Sequence, residues 1–334
     1  MEKRIKNVLI VSIIIVAIVL CATVVTIFAT ADKNVIPTGQ PMAETGTWFD
    51  IRDKATLTTF LDGGAGNTNG RLVADFDLDW DNIGSTKELK DNYVLDGNGH
   101  TITFSTQRDD TWTNSYPANY NANGCDYKGG GLFVWRVGAG AVLQNINFTN
   151  SNPKFLHKDY EGIAFGVACG VNDGTIKNVN VNINADIQLL NAKQGGMTKF
   201  WQHFILGGVT GLNRGNIFNA NVRLQNQLYV RLAHANLGKS WGFIGGIAGK
   251  STSSGNIQGA TVDFAGGKIY AAAIGGGTGN NNNLVASFIG YNEGVLNGIY
   301  LTANPNLQCE DQVDKQDIAC HNAATNTYKK ASAT

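Results

Sequence analysis

From residue 167 onward, apolar and polar positions recur in one pattern about every 40 residues. Counting from Ile176, apolar residues fall at Val179, Val181 and Ile183; from Ile217 at Ala220, Val222 and Leu224; from Ile257 at Ala260, Val262 and Phe264. Offsets of 0, +3, +5 and +7 describe a period-two strand with a corner after its first residue. A short motif precedes each such strand. It reads Val167-Ala168-Cys169-Gly170 with Asn172 and Gly174, then Gly208-Val209-Thr210-Gly211 with Asn213 and Gly215. It returns as Gly246-Ile247-Ala248-Gly249 with Gly255, two residues longer in the turn, and as Ser287-Phe288-Ile289-Gly290 with Asn292 and Gly294. A degenerate earlier copy is centred on Leu143 and Asn145. The steps from Ile176 to Ile217, Ile257 and Leu296 are 41, 40 and 39 residues, a regularity that marks stacked repeats. Strand, turn, strand, corner, strand is the coil of a parallel β-helix, and about 40 residues are expected to make roughly two coils. The Asn-x-Gly step is expected to be a tight turn using positive φ. Asn178, Asn180 and Asn182 are expected to face outward or line the corner, where amides can form ladders between coils. Cys169 stands where other copies have Thr210 or Ala248, so it reads as a small buried residue.

The upstream segment adds further elements. Residues 54–61 place Leu57, Phe60 and Leu61 on one helical face and stop at Gly63-Gly64. Residues 72–78 and 80–84 follow, and Leu95-Asp96-Gly97-Asn98-Gly99-His100-Thr101-Ile102 reads as a corner. Taken with the Gly-Val-Thr-Gly and Gly-Ile-Ala-Gly cores, this resembles the GLUG repeat of bacterial surface and secreted proteins. That repeat is found in adhesin-like proteins and in the non-catalytic part of some immunoglobulin A peptidases. The Asp-Gly-Asn-Gly-His-Thr-Ile corner resembles one common to right-handed β-helix proteins. The resemblance spans about residues 50–303 and implies an all-β, right-handed, single-stranded parallel β-helix (a solenoid) with a short N-terminal capping helix. With residues 50–308 as the β-helix and GLUG-like repeats at about 162–303, residues 32–49 read as a linker and 309–334 as a C-terminal cap or tail. The resemblance implies architecture more than activity, because one fold hosts unrelated functions.

Composition then bounds the compartment and the partners. Lys3, Arg4 and Lys6 precede an apolar run whose core is residues 8–28, long enough to cross a bilayer. Ala29-Thr30-Ala31 supplies a cleavage-type site, so residues 1–31 read either as a removed signal peptide or as a retained signal anchor. Both readings export everything after Asp32, to the cell surface or the extracellular space. The whole chain balances 26 basic against 26 acidic residues, which excludes a basic nucleic-acid binder. It carries 41 Gly and 38 Asn, and no Pro between Pro153 and Pro305, as stacked central strands require.

Candidate chemistry is sparse. Asp75, Asp77, Asp79 and Asp81 alternate with Phe76, Leu78 and Trp80; they read either as a weak Ca²⁺ site or as a polar outer face over a buried apolar stripe. No metal is favoured. Residues 105–128 are expected to leave the solenoid as a loop. Trp112, Tyr116, Tyr120 and Tyr127 in it could stack on sugars, or lie buried in a flap. Residues 197–204 and 229–241 are expected to be further excursions that pack on the side. Cys309 and Cys320 bracket a charged segment near the last repeat and are expected to form a disulfide clipping the C-terminal cap. No carboxylate pair of glycosidase type can be nominated. The leading reading is an exported, non-enzymatic surface protein: adhesin, spacer or envelope component. Its expected partners are glycans or a neighbouring cell surface, with self-assembly a further option and the membrane a partner if residues 8–28 are retained. The alternative reading is a polysaccharide lyase or glycoside hydrolase on the same fold.

Overall fold

The computed structural model describes residues 47–78, 83–105, 108–111, 119–122, 125–151, 154–159, 162–191, 201–233, 239–274, 282–302, 305–309 and 313–316. All but Thr47 belong to the second of two compact units, Trp48–Thr334. This unit is an all-β fold of parallel sheets with a short helix near its start. Four strands follow one another in each repeat, for example Gly162–Gly166, Cys169–Asn172, Thr175–Ile183 and Asp186–Asn191. Each pairs in parallel with its counterpart in the next repeat: Trp201–Gly207, Thr210–Asn213, Asn216–Leu224 and Gln227–Ala233. Among the described residues this builds four sheets, here called D, B, A and C in the order of those four strands. Every pairing is parallel except the hairpin of Asn119–Ala122 with Cys125–Gly131.

The register corrects the expected repeat geometry. Ile176 lies beside Ile217, and Ile217 beside Ile257, so one repeat makes one layer of four strands rather than two coils. Sequence reading missed the strands of sheets C and D because they share few residue identities between layers: Tyr229 with Tyr270 in sheet C, and the terminal Gly131, Gly166, Gly207 and Gly245 in sheet D. Asp186–Asn191, Gln227–Ala233 and Lys268–Ile274 keep only an inward alternation, with Ile187, Leu189, Leu228, Val230, Ile269 and Ala271 buried. For the same reason the supposed loop at 105–128 contributes Arg108–Thr111 to sheet C and Cys125–Gly131 to sheet D. The supposed excursions are also strands of the stack, Trp201–Gly207 and Lys239–Gly245 in sheet D and Gln227–Ala233 in sheet C. The sheets run past residue 308 as well, since Val313–Gln316 pairs with Asn282–Ala286.

One apolar column organises sheet A. Leu95, Leu143, Ile176, Ile217, Ile257 and Leu296 stack in register and are all fully buried. Burying each side chain is worth about 1.5–3 kcal/mol, which is why the Ile position is the most regular in the sequence. Two residues further on, the backbone bends through positive φ at Asn145, Asn178, Asn219, Gly259 and Gly298. Asn and Gly are the residues that reach the left-handed region at least cost. The corner after the Ile thus lies where the offsets put it, whereas the preceding Asn-x-Gly step, expected to use positive φ, does not. The glycine of that step answers a different demand. A Cβ on Gly174 would collide with the carbonyls of Gly138 and Ala141, and one on Gly215 with the carbonyl of Gly174.

The Gly-x-x-Gly motif is explained in the same way. A Cβ on Gly170, Gly211 or Gly290 would strike the backbone nitrogens of Gly130, Phe165 or Ile244. The strands of sheet B thus press on the backbone of sheet D, and a two-residue corner joins the two sheets. A small second apolar cluster fills the space they share outside the main core: Ala164, Val171, Ile205, Leu212, Phe243, Leu284 and Ala286, with Tyr291 against it. Lys250 is buried in the same row, its Nζ 4.8 Å from the centroid of the Tyr291 ring.

Helix α1 (Lys54–Asp62) adjoins the first layer. The Thr56 N–H donates to Asp53 Oδ1 at 2.8 Å and the Asp53 N–H to Thr56 Oγ1 at 3.1 Å, closing a capping box. Gly63 ends the helix in the left-handed region at φ 83°. Its buried face, Leu57, Phe60 and Leu61, joins the main core with Ile51 and Leu72, as the apolar spacing predicts.

Candidate functional site

After the bend at Asn178, the strands of sheet A alternate strictly, and the valines at +5 point into the core. The residues at +4 and +6 from each Ile therefore face outward and stack into two polar columns. The first column runs Thr101, Asn147, Asn180, Asn221, Thr261 and Tyr300. The second runs Thr103, Thr149, Asn182, Arg223 and Asp263, with Thr302 bonded to the last of these. Between them lies an open groove of about 560 Å³, reaching from Thr101 to Thr302.

The first column is an amide ladder. Asn180 Nδ2 donates to Asn147 Oδ1 at 2.7 Å, and Asn221 Nδ2 donates to Asn180 Oδ1 at 2.9 Å. Asn147 Nδ2 donates onward to the carbonyl of Gly99 at 2.7 Å. The parallel ladder at the bend, Asn145–Asn178–Asn219, closes at 2.9 and 3.0 Å. A side-chain amide has two N–H donors and two lone pairs. The ladder spends one of each on Asn180, leaving one N–H and one lone pair directed away from the chain. In the second column, Asn182 Oδ1 is buried without a hydrogen-bond partner, an acceptor lining the groove. Arg223 and Asp263 face each other at 3.6 Å, and Thr302 Oγ1 donates to Asp263 Oδ1 at 2.8 Å. Asp263 is the sole carboxylate among the groove-lining residues.

A second polar feature lies where sheet B turns into sheet A. Asp173 is clamped between two guanidinium groups, Arg136 Nε at 2.8 Å and Arg214 Nε at 2.6 Å. Arg136 also reaches Glu88 at 3.2 Å and Asp91 at 3.1 Å. Burial pushes the Asp173 carboxyl up, but hydrogen bonds and charge from Arg214 and Arg136 outweigh it, and the net shift is downward. The cluster sets two guanidinium groups against three carboxylates, and its geometry suits clamping successive layers together. Cys169 is no nucleophile: burial pushes its thiol up to about 12.

Of the residues nominated from sequence, Asp75 has a different task. Its Oδ1 accepts the Thr101 N–H at 2.9 Å and lies 2.8 Å from His100 Nδ1. The Thr101 N–H, and then His100, hold this carboxyl below its ordinary value. Asp77 is exposed beside Phe76, whereas Asp79 and Asp81 lie outside the described residues. Among the described residues, no group of three or more His, Cys, Asp or Glu could hold a metal ion. Trp112, Tyr116 and Cys320 lie outside the described residues, as does the apolar run 8–28. Among those described, no helix is long and apolar enough to cross a membrane. Tyr120 and Tyr127 are register partners in the sheet D hairpin, so their strands are not part of the sheet that carries the groove. Cys309 lies on Leu307–Cys309, in register with Ala271. The groove residues Asn221, Arg223, Thr261, Asp263 and Thr302 were not nominated. Their signal was the fixed +4 and +6 offset from each repeat's Ile, legible once layers stack one repeat apart. No family model, curated protein or solved structure matches the chain.

Proposed function

We propose that this chain is an exported, non-enzymatic surface protein whose body is a right-handed parallel β-helix, and that its sheet A groove binds glycans. Four successive parallel strands per repeat, each paired one repeat on, support the β-helix reading. The right hand follows from the general handedness of parallel crossovers. The GLUG resemblance agrees with both fold and location. Export rests on residues 1–31, with the chain either anchored by residues 8–28 or released after Ala31. The observation that carries the binding reading is a groove walled by Asn and Thr, with spare hydrogen-bonding capacity on the exposed Asn180 and one ion-paired carboxylate.

The alternative, a lyase or hydrolase, draws on Arg223 and Asp263. These two neutralise one another, and hydrolysis needs a second carboxylate at defined separation. The groove therefore favours holding a sugar chain over cutting it. The test is glycan-array binding by the full chain in mild detergent, with parallel incubation on the retained glycans. Retention without new chain ends is expected. Loss of all binding would refute the reading, and release of shortened or unsaturated products would replace it with catalysis.

A further inference from the structure

We infer that the groove selects an extended, uncharged β-1,4-linked glycan lying along the stack, with one sugar facing each layer. This rests on the glycan reading of the same groove and narrows it to one chain geometry.

The argument is one of period. Layers repeat at about 4.8 Å, the spacing of hydrogen-bonded strands. The first column presents an equivalent outward position in each layer from Thr101 to Tyr300. Five such steps span about 24 Å. A ribbon-like β-1,4-linked chain advances by nearly one layer per sugar and turns over from each sugar to the next, so alternate ring edges, both bearing hydroxyls, meet successive layers of the column. An α-1,4-linked chain curves and leaves the columns after a few residues. An extended peptide advances about 3.3 Å per residue and falls out of step with the layers at once.

Charge narrows the class further. The cation in the groove, Arg223, faces Asp263 at 3.6 Å, so no unbalanced positive charge awaits a uronate or sulfate. Polar capacity matches hydroxyls instead. Asn180, exposed in the first column, retains one donor and one acceptor beyond the ladder. At the end of the first column, beyond the groove lining itself, Tyr300 is 48% exposed and gives a ring on which a terminal sugar can stack.

Calorimetric titration of the full chain in detergent with cello- and chito-oligosaccharides of two to six sugars tests the inference, with malto-oligosaccharides as the contrast series. Affinity should climb with each added sugar to about five and then level off, while maltohexaose binds at least about tenfold more weakly, a difference of about 1.4 kcal/mol. Each of Asn180→Ala and Tyr300→Ala should weaken the longest β-linked probe by about fivefold, as loss of one net hydrogen bond or one stacked ring implies. Both positions face outward, and an unchanged thermal midpoint will verify the fold of each variant. Asn221→Thr, which keeps a hydroxyl, should lose less than Asn221→Ala. Equal affinity for α- and β-linked series, or none of the length dependence, would overturn the inference while leaving a glycan-binding groove. Absence of binding to any sugar would overturn both.

Discussion

Asp173 shows how a single polar residue can be structural in a protein sought for chemistry. Its carboxylate ties Arg136 and Arg214, which belong to neighbouring layers, and it is only 12% exposed. Because its folded pKa is depressed, its contribution is present above the unfolded value near 3.9 and fades as pH falls through the lower folded value. Asp173→Asn should cost about 1–3 kcal/mol at neutral pH, less than a fully buried pair because Arg136 keeps Glu88 and Asp91. The gap between variant and wild type in urea should narrow as pH falls below the unfolded value and close once the lower folded value is passed. A gap independent of pH would mean that packing, not charge, holds the site. Ser287 makes the opposite case. Its Oγ is buried with no partner, at the corner where neighbouring layers have Gly208 and Gly246. Ser287→Ala should raise the urea midpoint by the equivalent of about 1 kcal/mol, since a stranded hydroxyl is removed. A lower midpoint would show that the hydroxyl is used.

At the scale of elements, the sequence was most legible where one residue type is required in every layer. The Ile column, the bend asparagines and the paired glycines are such places, and so are α1 and its Gly63 stop. The strands of sheets C and D were not legible. There the inward positions accept Ile, Leu, Val or Ala, and the outward ones accept Gln, Tyr, Arg or Lys, so alternation alone survives. Stacked Tyr229 and Tyr270, with centroids 4.7 Å apart, illustrate an outward pair that no other layer repeats. The groove was half legible: its asparagines drew notice as ladders, but the partners in later layers depend on a register read wrongly as two coils per repeat. The difference between required and tolerated residues can be measured. Gly211→Ala should destabilise by about 3 kcal/mol or more, because its Cβ meets backbone that cannot yield. Ile217→Asp should cost several kcal/mol by burying an unpaired charge in the column. Thermal midpoints within error of wild type for both would refute the inward assignments.

For the whole molecule, the end of the stack governs solubility, because a terminal layer offers unpaired backbone to any other strand. The sheets extend through Val313–Gln316, into the stretch between Cys309 and Cys320. We retain the Cys309–Cys320 disulfide as a proposed clasp on that end, motivated by the proximity of both residues in sequence to the last paired strands. Peptide mapping without reduction should recover the two as one linked species. Two separately alkylated peptides would refute the clasp. One repeat per layer has a further consequence, for reach. Some forty residues advance the stack by a single strand spacing, about 4.8 Å, whereas the same residues drawn out straight would cover over a hundred ångström. A chain selected merely to hold something at a distance would not be built this way. What each added repeat enlarges is the flank: four more outward strand faces and one more rung on every column. Lengthening by duplication would therefore extend a lateral contact area step by step, and hardly alter the height of the stack.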